Sequence, residues 1–155
     1  MSSERLYDIL FASLFVIAQV ALFRYLVFFG AFADIVFLYL FWLMTTRSRT
    51  EILVTAFAMG LFLDFFMDTW GLHIASKVLV VFILYNAIPR STETKLDTWQ
   101  VFLILLGAGL IHNFIFAGLA QFSEVLQVES FLIIFIGNSL YTAIIGSFIY
   151  IFKSG

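Results

Sequence analysis

Two long stretches without a charged residue dominate the second half of the chain. They run from Thr98 to Ser123 and from Ser130 to Phe152, and neither contains Lys, Arg, Asp or Glu. A bilayer crossing needs about 20 mostly apolar residues, and lipid offers the backbone no hydrogen-bonding partners. Both stretches are therefore predicted to be transmembrane helices.

The composition extends this prediction to the whole chain. Of its 155 residues, 63% are hydrophobic and 12% are charged, whereas a soluble domain has about a quarter of its residues charged. The length allows one compact bundle, so residues 1–155 are predicted to form a single integral membrane domain. The net charge of −2 gives no indication of a polyanionic partner.

The first half of the chain contains shorter uncharged runs, at Ile9–Phe23, Ile35–Thr46, Ile52–Leu63 and Val78–Pro89. Taken alone, such runs are also compatible with re-entrant or buried segments. If charges are allowed near the helix ends, the runs become four further crossings, and Pro89 follows the last of them. The prediction is then an all-α bundle of six transmembrane helices, at about 6–24, 29–46, 50–67, 72–88, 98–122 and 130–152.

The charges between these helices predict the orientation. With six helices, one side of the membrane receives most basic residues, namely Arg5, Arg47, Arg49, Arg90, Lys95 and Lys153. The other side receives a single basic residue and four acidic ones, namely Arg24, Asp34, Asp68, Glu124 and Glu129. By the positive-inside rule both termini are cytoplasmic. The first apolar run lacks a small-x-small cleavage site before Arg24, so we interpret it as an uncleaved crossing.

Polar residues recur at similar depths in the predicted outer half of the bundle: Asp64, Lys77, His112, Asn113 and Asn138. Ionisable groups within a membrane usually face protein or water, so one hypothesis is a ligand site or an ion path. The simpler interpretation is an Asp64–Lys77 ion pair together with interhelical hydrogen bonds that hold the bundle together. Asp68 is an equally suitable partner for Lys77.

Small residues form two stripes at helical spacing. The first consists of Ala56, Gly60 and Asp64 on the third helix, and the second of Gly109, Asn113 and Ala117 on the fifth helix. Such stripes allow helices to approach closely. We favour packing within this chain, and the alternative is a docking face for a transmembrane helix of another protein.

Recognisable catalytic motifs are missing from the sequence. There is no Cys, and the two His residues, His73 and His112, lack metal-ligand spacing. No phosphate-binding loop or nucleophile elbow is present. The chain is therefore predicted to be neither an enzyme nor a cofactor or metal protein. An enzyme acting on lipid-linked substrates would need an acid or base beside a cation, and only Asp64 and Lys77 offer that pair.

The stretch from residue 60 to residue 77 resembles the MreD family of rod-shape-determining membrane proteins, in the form found in Bacteroidota. The similarity lies in a G-x-x-x-D helix end, a short polar turn and a Gly-Leu-His start to the next helix. The matching residues are Gly60, Asp64, Asp68, Thr69, Gly71, Leu72 and His73, with further similarity at Gln19, Gly137 and Asn138. This chain departs from the family by having Asp34 where a Pro is common, and Lys77 where small or apolar residues are usual.

The resemblance implies a non-enzymatic scaffold of the elongasome, which directs lateral peptidoglycan synthesis and cell shape from the bacterial cytoplasmic membrane. It implies contact with an MreC-like single-pass protein, and indirectly with MreB, a RodA-type glycosyltransferase and a penicillin-binding transpeptidase. It also implies the fold of the substrate-binding subunits of energy-coupling-factor transporters. The residues proposed for partner binding or for a structural polar motif are Gly60, Asp64, Asp68, Gly71, His73, Lys77, Asn113 and Asn138.

The alternative function is a substrate-binding subunit of an energy-coupling-factor transporter for a vitamin or a metal. The polar residues in the outer half motivate this hypothesis. Against it, those subunits resemble one another in an Ala-x-x-x-Ala pattern on their first helix. Here the alanines are Ala12, Ala18 and Ala21, and none are spaced by four.

Overall fold

The computed structural model describes residues 3–88, 96–123 and 131–154, and within them the fold is all-α. The helices are α1 (Ser3–Ala18), α2 (Ile35–Met44), α3 (Arg49–Met67), α4 (Leu72–Leu84), α5 (Thr98–Ser123) and α6 (Asn138–Ser154). Two π-helical turns adjoin them, Gln19–Phe23 after α1 and Ile133–Gly137 before α6. In the bundle, α3 packs on α4, α4 on α5, and α5 on α6.

Among the described residues, three helical segments are long and apolar enough to cross a membrane, at Arg49–Met67, Thr98–Phe122 and Phe135–Phe152. Their length and composition are those of a helical membrane protein. α2 has 10 residues and α4 has 13. At about 1.5 Å per residue they extend about 15 and 20 Å, less than the hydrocarbon thickness of about 30 Å.

Local sequence signals fix where several helices begin and end. Asp34 caps α2, because its carboxylate accepts a hydrogen bond from the Phe37 N–H at 2.8 Å. At the start of α3, the Glu51 carboxylate accepts from the Ser48 N–H at 3.2 Å, the pairing of a capping box. α3 ends where Asp68 adopts a left-handed conformation, with φ of 56°.

The helix predicted at 29–46 is wrong in its first part. Phe29 and Gly30 have φ of 51° and 83°, and they form the tip of a tight hairpin closed by a bridge between Phe28 and Ala31. The helix starts only at Ile35, because the apolar run is short and Asp34 caps it. The helix predicted at 72–88 likewise ends early, at Leu84.

The remaining predicted spans agree more closely with the structure. The predicted 50–67 and 98–122 correspond to α3 and α5 within one residue at each end. The predicted 6–24 corresponds to α1 and its π-helical turn. The predicted boundary residues Pro89 and Ser130, and the loop charges Arg90, Lys95, Glu124 and Glu129, lie outside the described residues.

The buried side chains divide the bundle into two halves. The half that contains the end of α2 and the start of α3, here called the apolar half, has a core of Leu40, Leu43, Met44, Ile52 and Leu84. The half that contains the starts of α2 and α4, here called the polar half, buries Gln19, Asp34, His73, Lys77, His112, Asn113, Asn138 and Thr142. A candidate site is therefore to be sought in the polar half.

Candidate functional site

The site is built around a non-helical segment that runs inside the bundle. After the hairpin tip, residues 31–34 continue as an irregular chain to the start of α2, and Ala33 is completely buried. Helical hydrogen bonds cannot satisfy the backbone of such a segment. At membrane depth, non-helical backbone is tolerated only where it is buried in protein or lines water.

Side chains from the π-helical turn after α1 and from α6 supply the missing hydrogen bonds. Gln19 bonds on both sides of Asp34: its Nε2 donates to the Ala33 carbonyl at 3.1 Å, and its Oε1 accepts from the Ile35 N–H at 2.8 Å. From α6, Asn138 Oδ1 accepts from the Phe32 N–H at 3.0 Å. Each of these side chains adjoins a π-helical turn, a feature that commonly marks functional positions in helices.

Asp34 is the centre of the site. One carboxylate oxygen caps α2, and the other, Oδ2, accepts a hydrogen bond from Lys77 Nζ at 2.7 Å. The Asp34 N–H donates to Thr142 Oγ1 at 3.0 Å, which ties α2 to α6 as well. Lys77 is 0% exposed and Asp34 is 8% exposed. The structure thus contains a buried ion pair joining α2 to α4.

This ion pair corrects two predictions. Lys77 was expected to pair with Asp64 or Asp68, but its partner is Asp34. Asp34 was expected on the surface among the loop charges, but it lies inside the bundle because residues 31–34 descend into it. The combination of Asp64 and Lys77 that an enzyme acting on lipid-linked substrates would need is therefore not formed.

His112 lies beside the ion pair, and His73 lies on α4 one helical turn before Lys77. His112 on α5 is 2% exposed, and its Nε2 lies 3.8 Å from Asp34 Oδ2. Neither imidazole nitrogen of His112 has a hydrogen-bond partner among the described residues, and the same holds for Nδ1 of His73. Phe37 stacks on the His112 ring at a centroid distance of 4.8 Å, and Phe116 lies 5.0 Å from the His73 ring.

Asp64 does not belong to the ion pair, and its carboxylate lies at the turn between α3 and α4. Its Oδ1 accepts hydrogen bonds from Thr69 Oγ1 at 2.5 Å and from the His73 N–H at 2.9 Å. Its Oδ2 accepts from the Ile74 N–H at 3.0 Å. The first N–H groups of a helix lack intrahelical partners, and a carboxylate there is also favoured by the helix dipole. Asp64 therefore caps α4 from the preceding helix.

The glycine of the first small-residue stripe explains how α3 and α4 come so close. A Cβ atom on Gly60 would lie 2.6 Å from the Ile74 Cα, so only glycine permits this approach. On the second stripe, a Cβ atom on Gly109 would lie 3.4 Å from the Ser139 Cα, and Asn113 Nδ2 donates to Ser139 Oγ at 2.9 Å. Both stripes pack within this chain, and the alternative of an external docking face on either stripe is wrong.

The structure gathers only part of the polar set predicted to meet. Lys77 and His112 meet at Asp34, whereas Asp64, Asn113 and Asn138 each serve a separate contact. Asp68 is exposed and Gly71 is half-buried, both in the α3–α4 turn. Among the described residues no group of three or more possible metal ligands occurs. Sequence reasoning missed Asp34 and Thr142 as members of the site.

The fold and the site together define a helical membrane protein with a buried, charged polar centre. No family model, no curated protein and no solved structure matches this chain.

Proposed function

We propose that this protein is a non-enzymatic scaffold of the MreD type, which organises lateral peptidoglycan synthesis. The observation that carries the proposal is the fold of the motif on which the resemblance rests. Gly60 gives the close α3–α4 contact, Asp64 caps α4, and Gly71 and His73 begin that helix. The motif thus fixes the turn and the contact between α3 and α4, here called the α3–α4 corner. A rigid corner of this kind suits a scaffold, which must present its surfaces in a fixed arrangement.

In this proposal the chain crosses the bacterial cytoplasmic membrane six times, with both termini in the cytoplasm and the fold of an energy-coupling-factor binding subunit. The short α2 supports a crossing when residues 31–34 are added. Ten helical residues extend about 15 Å, and the four irregular residues add at most about 13 Å. The basic residues Arg47 and Arg49 then adjoin the cytoplasm, beside the apolar half.

The scaffold needs a surface for its single-pass, MreC-like partner, and α5 offers one. Leu103, Ile111 and Phe114 on this helix are 53%, 38% and 59% exposed. Gly107 and Gly118 share their helical face, and a Cβ on either would meet nothing within 4 Å. A glycine without covering neighbours lets a second helix approach closely. Through this partner the scaffold would act on MreB, a RodA-type glycosyltransferase and a penicillin-binding transpeptidase.

Purification in mild detergent from the native membrane tests the proposal. Tagged protein should recover a single-pass MreC-like protein together with wall-synthesis enzymes. The Gly107→Leu variant should recover several-fold less of them, because the added side chain covers the proposed face. The control is Val54→Leu, since Val54 is 64% exposed on α3 and its replacement leaves α5 unchanged. Equal recovery with both variants would remove the α5 face from the proposal.

A second candidate function is favoured by the incompletely paired groups beside Asp34. A substrate-binding subunit of an energy-coupling-factor transporter would place its vitamin or metal among such groups. A ligand present at about a hundredfold excess over its Kd stabilises the folded state by about 2.7 kcal/mol. A thermal-shift screen with vitamins and metal ions would therefore reveal it. Recovery of paired ATPases and a membrane coupling subunit would replace the scaffold proposal with this one.

A further inference from the structure

The groups around the ion pair have more hydrogen-bonding capacity than the protein uses. A lysine ammonium has three N–H donors, and Lys77 makes one hydrogen bond among the described residues, to Asp34 Oδ2. A neutral imidazole has one donor and one acceptor nitrogen, and neither nitrogen of His112 has a partner there. Nδ1 of His73 is unpaired as well. Several donors and acceptors of Lys77, His112 and His73 thus remain unmet among the described residues.

Burial makes this arrangement costly unless another molecule completes it. Lys77 is 0% exposed and His112 is 2% exposed, so bulk solvent cannot supply the missing bonds. A buried polar group without a partner destabilises the fold, and a buried charge with too few hydrogen bonds does so more strongly. Buried water in proteins typically makes about three hydrogen bonds to groups of this kind.

The chemistry of the cluster selects the ligand. Asp34 and Lys77 neutralise one another, so the ion pair itself attracts neither an anion nor a cation. The set of unmet groups contains both donors and an imidazole acceptor, which requires a ligand able to accept and to donate. Water does both, and one water beside Asp34 Oδ2 and His112 Nε2 can hydrogen-bond to both atoms, because they lie only 3.8 Å apart.

We propose that Asp34, Lys77, His73 and His112 form an internal water-binding site, which hydrates the ion pair in the middle of the bundle. Bound water completes the hydrogen bonds of Lys77 and His112, so both charges of the pair persist within the membrane. The rings that contact the imidazoles, Phe37 on His112 and Phe116 on His73, are apolar. Because they give water no hydrogen bonds, they restrict it to the cluster.

The chain allows a direct test, because it contains only two histidines. Uniformly ¹⁵N-labelled protein in lipid bilayers shows two imidazoles together with the backbone amides, and the variants His73→Gln and His112→Gln assign the imidazoles. Polarisation transferred from water protons should reach both imidazoles several-fold faster than the Leu40 amide, which lies in the apolar half and is 0% exposed. Transfer to the imidazoles as slow as to Leu40 would overturn the proposal.

A pair of variants separates bound water from other causes of transfer. The double variant Asp34→Asn, Lys77→Met removes both charges that hold the water, and transfer to His112 should then fall several-fold. The control Asp8→Asn alters a distant ion pair and should leave transfer unchanged. Equally fast transfer in the double variant would contradict the proposal. A stoichiometric small molecule released on denaturation and detected by mass spectrometry would replace water as the ligand.

Discussion

In the apolar half, Leu40, Leu43 and Ile52 are at most 2% exposed and pack through apolar contacts. In the polar half, Asp34 and Lys77 are almost as deeply buried, yet they connect their helices through one carboxylate. Apolar packing loses free energy in proportion to the atoms removed. A buried ion pair instead leaves an uncompensated charge when either member is lost. The polar half should therefore be the less tolerant of single substitutions.

The largest effect is expected from Lys77→Met, which leaves the Asp34 carboxylate buried without its cation. Breaking a buried pair in this way costs about 3–5 kcal/mol. Adding Asp34→Asn should restore much of the loss, because asparagine can still cap α2 and no charge remains. Denaturant unfolding in detergent, run as a double-mutant cycle, measures both changes. Additive losses from the two substitutions would show that the residues do not act as a pair.

A smaller effect is expected where the two helices of the MreD-like motif touch. In Gly60→Ala, the new Cβ would lie 2.6 Å from the Ile74 Cα and 2.8 Å from its nitrogen, so α3 and α4 must separate. Overpacking of this kind costs about 1–3 kcal/mol. Gly107→Ala is the matched control, since its Cβ meets nothing within 4 Å, and alanine favours a helix by about 1 kcal/mol. Similar stabilities for the two variants would contradict the close contact.

Loss of the α4 cap should reduce the free energy of unfolding by less than the change at Gly60. Asp64→Ala removes the acceptor of the His73 and Ile74 N–H groups, and losing a cap costs about 0.5–2 kcal/mol. Hydrogen exchange of those two amides should accelerate. Asp68→Asn is the control, because Asp68 is exposed and asparagine tolerates its left-handed conformation. If the control loses as much stability as Asp64→Ala, the turn rather than the cap determines the stability of this corner.

The helical segments were the more predictable part of the fold. Long charge-free runs specify helices such as α5 whatever their neighbours, because lipid leaves the backbone no alternative. Helix limits were also accessible where a polar turn precedes the helix, as at Leu72, which follows Asp68, Thr69 and Gly71. The start of the second helix, predicted at residue 29 and found at Ile35, could also have been predicted from a local cap. An acidic residue directly before an apolar run is an N-cap signal, and Asp34 before Ile35 provided it.

The polar half depends on contacts that no local pattern encodes. Asp34 and Lys77 are 43 residues apart, and Asp34 and Thr142 are 108 apart. Spacing along one helix places residues on a common face, but it does not say which face of which helix lies opposite. The positive-inside rule also led us to treat Asp34 as a loop residue, since we applied it on the assumption that charged residues lie at the membrane surface. A non-helical segment inside the bundle breaks that assumption.

The smallest effect is expected from the ion pair between Asp8 and Arg47, which lies in the apolar half. Their side chains are 24% and 29% exposed, and Arg47 Nε lies 2.9 Å from Asp8 Oδ2, a contact nearly as short as that of Lys77 with Asp34. Water and salt screen this pair, so Asp8→Asn should cost less than about 1 kcal/mol, and less again at high ionic strength. Denaturant unfolding at low and high salt measures this. A loss equal to that of Lys77→Met would mean that contact distance, rather than burial, sets the strength of ion pairs in this bundle.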